Sequence, residues 1–82
     1  MFEENEIVVF GNNLKKIRMD NGLSKVRMAQ RIGIGIKSLI MLEKGILPPR
    51  LGASVLIGIY REFGVLPSEM FMSDKKVKEP ID

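Results

Sequence analysis

The sequence contains no cysteine, no histidine and no tryptophan. The first absence removes disulfides and thiolate nucleophiles, and the two together remove zinc fingers, haem ligation by imidazole and His-based acid–base catalysis. Most enzyme classes fall with them, and neither a catalytic residue nor a metal or cofactor is expected. No apolar run approaches the roughly 18 residues of a membrane span. The first residues, Met1 to Glu6, carry three glutamates and no cation where a secretory signal needs positive charge. The reading is therefore a cytoplasmic protein without membrane contact.

What is present suits a small folded domain. The chain has 82 residues, 45% hydrophobic and 28% charged, which is close to ordinary globular usage and enough for one core. Net charge is only +3, but it is unevenly spread. Residues 1–10 hold Glu3, Glu4 and Glu6 without a base, whereas residues 11–50 hold nine cations against Asp20 and Glu43 alone. A basic segment of that density attracts polyanions, nucleic acid above all.

The apolar spacing is helical throughout. Phe10, Leu14 and Ile17 step by four and three, and so, in turn, do Met28 to Ile32, Leu39 with Leu42, and Leu56 to Phe63. Punctuation divides the pattern into five short helices: Asn21-Gly22 ends the first, Ser24 caps the second, Gly33 ends it, Gly35 starts the third and Gly45 closes it. Pro48-Pro49 is an extended connection, the fourth helix runs from about Gly52 to Phe63, and Pro67 opens a fifth that reaches about Met72. The expected organisation is all-α: residues 1–9 as an N-terminal arm or an extension of the first helix, 10–72 as the folded domain, and 73–82 as a flexible polar tail. The methionines are expected mainly as adaptable core filler.

Two short helices joined by a glycine-containing turn, from Lys25 to Leu42, form the helix-turn-helix pattern. Ala29 is small where the helices must cross, Gly33 can adopt the left-handed conformation of the turn, and Met28, Ile32, Ile34, Leu39 and Leu42 supply a shared core. Gly33 to Ser38 is not a nucleotide-binding phosphate loop, because no Gly precedes Lys37 and no strand leads into it.

The chain here resembles the Cro and phage-repressor type of helix-turn-helix regulators, the XRE family, over roughly Phe10 to Phe71. The resemblance rests on Phe10-Gly11-x-x-Leu14-x-x-Ile17-Arg18, on Gly22-Leu23-Ser24-Lys25-x-x-Met28-Ala29-x-x-Ile32-Gly33-Ile34, on Leu39-x-x-Leu42-Glu43-x-Gly45, and on Phe63-Gly64-Val65. It implies a five-helix, lambda-repressor-like DNA-binding domain whose third helix lies in the major groove of double-stranded DNA, as half of a homodimer. Carried over by position, Ile36, Lys37, Ile40 and Met41 face the bases, Ser38 and Lys44 approach the backbone, and Arg18 pairs with Glu43. The base-facing set departs from the family pattern, because only Lys37 is a strong hydrogen-bond donor where base edges call for several.

Phosphate anchoring has support from the residues themselves. Lys25 and Arg27 stand in the first turn of the second helix, where the helix dipole disfavours cations, and a phosphate arriving there would reverse the local field.

The leading expectation is a sequence-specific DNA-binding regulator of transcription, a repressor acting as a homodimer; if the third helix reads DNA, the dimer contacts lie elsewhere, around the fifth helix at Leu66, Met70 and Phe71. The alternative is a protein-interaction or oligomerisation module on the same fold, built on an apolar third helix and the Ile46-Leu47 loop. No small-molecule effector is evident in the sequence.

Overall fold

A computed structural model describes residues 4–73. They form five helices, α1 (Glu4–Asp20), α2 (Lys25–Ile32), α3 (Ile36–Glu43), α4 (Ser54–Phe63) and α5 (Pro67–Met70), and no strand occurs among the described residues. Residues 74–82 of the expected tail, and 1–3 of the expected arm, lie outside this range. Residues 4–9 belong to α1.

Local chemistry sets most of the boundaries. Ser24 Oγ accepts the backbone N–H of Arg27 at 3.1 Å, which starts α2. Gly33, at φ 78°, ends it in the left-handed conformation, and the Ala29 carbonyl accepts from both Gly33 and Ile34. At the start of α5, Pro67 follows Leu66, whose N–H is taken by Glu69 Oε1 at 2.8 Å. Two boundaries differ from expectation. Gly52 lies outside α4, which starts at Ser54, and α5 ends at Met70 rather than Met72.

The core gathers Phe10 and Leu14 from α1, Met28, Ala29 and Ile32 from α2, Leu39 and Leu42 from α3, Val55 and Ile59 from α4, and Met70 from α5. The methionines divide, with Met28 and Met70 fully buried but Met19 and Met72 exposed. Met70 cannot serve as a dimer contact for that reason. Phe71 is half-buried, its ring 5.3 Å from that of Phe10, so of the three expected contacts only Leu66 is exposed. Asn13 fastens α5 to α1 by donating from Nδ2 to the carbonyls of Met70 and Met72 at 2.8 and 3.0 Å.

Two glycines let helices touch. A Cβ on Gly11 would lie 1.9 Å from the Leu42 carbonyl oxygen, so α1 and α3 cross backbone to backbone there. A Cβ on Gly58 would lie 2.8 Å from the Ile32 carbonyl oxygen, which accounts for a glycine inside α4 despite its cost to the helix.

Candidate nucleic-acid interface

The position of α3 follows from its amphipathic pattern and its ties to α1. Leu39 and Leu42 are fully buried against α1 and α2, which turns the remaining face of the helix outward. Its C-terminal end is clamped at three points. Gly11 meets the Leu42 carbonyl; Gly45, at φ 80°, meets Val8, whose Cγ2 would be 2.9 Å from a Cβ there; and Arg18 grips Glu43. In that grip Arg18 Nε donates to Glu43 Oε2 at 2.8 Å and Nη2 donates to Oε1 at 3.0 Å, while Nη1 reaches the Leu23 carbonyl at 3.1 Å. The side chains are only 12% and 5% exposed. Hydrogen bonding to Glu43 raises the Arg18 pKa above its ordinary value, against the lowering by burial. A two-pronged guanidinium–carboxylate bond of this kind fixes orientation as well as distance.

The outward face of α3 carries Ile36, Ile40 and Lys44 along one i, i+4 row and Lys37 with Met41 along the next. Ile36, Lys37 and Lys44 are exposed, whereas Ser38, Ile40 and Met41 are half-buried. Lys37 and Lys44 thus stand toward opposite ends of a face whose middle is apolar. In the first turn of α2, Lys25 and Arg27 are both exposed. Neither helix has an acidic residue in its first turn, and α3 starts at Gly35 without a side-chain cap. None of Lys25, Arg27, Lys37 and Lys44 forms a salt bridge among the described residues.

Two other cations of the basic segment are used internally. Arg18 is consumed by Glu43. Arg31 donates from Nε to Glu62 Oε1 at 2.8 Å and lies over the Phe63 ring at 5.1 Å, tying α2 to α4. The charge pattern alone does not separate these from the free cations, because their partners lie 25 and 31 residues away. Arg50, which no local sequence pattern marks as functional, is exposed at a turn after α3 and takes a left-handed φ of 67°. The preceding Pro49 is the local signal for that turn. Among the described residues no cluster of acidic side chains can hold a metal, and no helix is long and apolar enough to cross a membrane.

Two helices joined by a three-residue turn, the second presenting an exposed face, define a helix-turn-helix domain. The model of the helix-turn-helix domain family matches residues 11–75, and the chain belongs to that family. No curated protein and no solved structure matches it. Membership of this family points to DNA as the partner.

Proposed function

We propose that the protein is a sequence-specific DNA-binding regulator of transcription, a repressor of the Cro and phage-repressor type, which occupies its operator as a homodimer and performs no chemistry. The observation that carries this reading is the set of exposed, unpaired cations on α2 and α3, beside helix starts that hold no carboxylate. Lys25 and Arg27 bind phosphate at the start of α2, where the helix dipole adds to their charge. Ser38 and Lys44 approach the backbone at the flanks, and Ile36, Lys37, Ile40 and Met41 face the bases. Lys37 supplies the donor for guanine, while the isoleucines and Met41 suit thymine methyl groups.

The homodimer contact keeps Leu66 from the sequence expectation and exchanges Met70 and Phe71 for side chains of α4. Ile57 and Tyr60, 60% and 53% exposed, lie three residues apart on the outer side of α4, and exposed Leu66 follows before α5. These three side chains form the apolar candidate for the two-fold contact, which sets the spacing of the operator half-sites.

The test is binding to a labelled mixed-sequence duplex, followed by fluorescence anisotropy over a salt series. Phosphate-dominated binding weakens linearly in log affinity against log salt. Salt-insensitive binding, or none, would overturn the DNA reading. A second reading has one favourable observation, the exposure of Ile36, Ile46 and Leu47 close to α3, which fits a protein-interaction module. Association that persists at high salt without DNA binding would select it.

A further inference from the structure

A cavity of about 490 Å³ lies beneath the loop that joins α3 to α4. Its apolar surface includes the buried side chains of Phe10 and Val55 and the more exposed Leu47, Leu51 and Leu56. The hollow is open to solvent on one side, and clefts that take small organic ligands run from about 300 to 1,000 Å³, mostly apolar, with a few polar groups that orient the ligand. Arg50 is the one charged side chain lining this cavity among the described residues. It pairs with no carboxylate among the described residues.

The Arg50 φ of 67° is the left-handed conformation that glycine adopts without cost and that strains an arginine. The chain thus keeps a long cationic side chain at a glycine-type turn position, on the rim of an apolar hollow. An apolar body and one anionic head are the complement of that arrangement. A nucleic-acid phosphate offers the charge without the apolar body, and a neutral hydrocarbon makes no use of the guanidinium.

We propose that this cleft binds a free medium-chain monocarboxylate, its alkyl chain seated on Leu47, Leu51 and Leu56 and its carboxylate paired with the Arg50 guanidinium. A carboxylate matches the planar fork of an arginine in two-pronged geometry. The site stands independently of what α3 recognises, because neither its chemistry nor its test involves DNA.

The experiment titrates the full chain with decanoate below its micelle-forming concentration, using calorimetry and amide chemical shifts, with decylamine as the same chain of opposite charge. Saturable binding at one site is expected, with shift changes at Ile7, Leu51 and Val55, and decylamine is expected to bind about tenfold more weakly or worse. R50G removes the charge and relaxes the turn, so it should melt no lower than the parent while losing about tenfold in decanoate affinity. Gly52 also lines the cavity, and a Cβ there meets nothing within 4 Å. A leucine at 52 is therefore tolerated beside the mouth, and Gly52→Leu should weaken decanoate binding in a folded protein. Absence of saturable decanoate binding, equal affinity in R50G, or undiminished binding in Gly52→Leu would each overturn the proposal. So would concentration-dependent shifts of the same residues without decanoate, since a second copy of the chain would then be the occupant.

Discussion

Gly11 and Leu42 meet so closely that a Cβ on Gly11 would lie 1.9 Å from the Leu42 carbonyl oxygen. That contact is backbone on one side, so no rotamer change relieves it, and it sets how deeply α3 sits against α1. G11A should therefore destabilise the protein although alanine is the better helix former. Overpacking costs about 1–3 kcal/mol and the helix gain returns about 1 kcal/mol at most. Each net kcal/mol lost lowers Tm by about 4–8 °C in a domain of this size. G58A should act in the same direction through the Ile32 carbonyl. Thermal melts of both, with G52A as a control expected to lose nothing, check the assignment.

Arg18 and Glu43 are coupled, and a double-mutant cycle should show it. Removing one partner of a largely buried pair strands the other charge, at a cost of about 3–5 kcal/mol. Glu43→Gln and Arg18→Met should each lose stability on that scale, and the double mutant should lose clearly less than the two combined. Additive losses of no more than about 1 kcal/mol each would place the pair in the exposed class. The raised Arg18 pKa means that its stabilisation is fully present below the unfolded-state value and is lost only as pH rises through the higher folded value. Stability between pH 6 and 9 should show no titration of this arginine.

Lys25 and Lys37 should differ in kind. Replacing Lys25 or Arg27 by Ala should weaken binding to all duplexes alike and make the salt dependence shallower by about one unit each. Replacing Lys37 by Ala should cost about 1–3 kcal/mol at one base position and relax preference there. A uniform loss would make Lys37 another phosphate contact. Binding-site selection, followed by anisotropy on single-base variants of the selected site, separates the two outcomes.

Tyr60 and Ile57 should control association. Ile57→Glu with Tyr60→Glu places charge at two exposed α4 positions that support no core packing, so the fold should persist. Sedimentation equilibrium should show the variant monomeric where the parent dimerises. Ile40→Gln with Met41→Gln should leave association intact and alter sequence preference alone. Loss of the dimer in the second variant and not the first would move the two-fold contact to α3.

Most of the helical framework was legible because its determinants are local. Ser24 caps α2 with its own hydroxyl, Gly33 ends it with its own dihedral angle, and Pro67 opens α5 with its own ring. Each needs only neighbours a few residues away, and the spacing of Leu39 and Leu42 marks the buried side of α3 for the same reason. The start of α4 and the end of α5 are less legible because glycine at 52 and the chain beyond Met70 carry weak local signals. The exchange of contacts across the fold was a different matter. Gly58 carries only the signal of a weak helix residue in the sequence, whereas in the fold the Ile32 carbonyl stands against it, and α1 covers Met70 and Phe71. Arg31 has no partner among its sequence neighbours, and Glu62 and Phe63, on another helix, claim it. Arg50 gained a setting only when the loop after α3 closed over Phe10 and Val55. Periodicity and capping are properties of short stretches of chain, whereas burial, ion pairing and cavities depend on segments brought together from distant positions, so the first could be read from the sequence and the second required the packed helices.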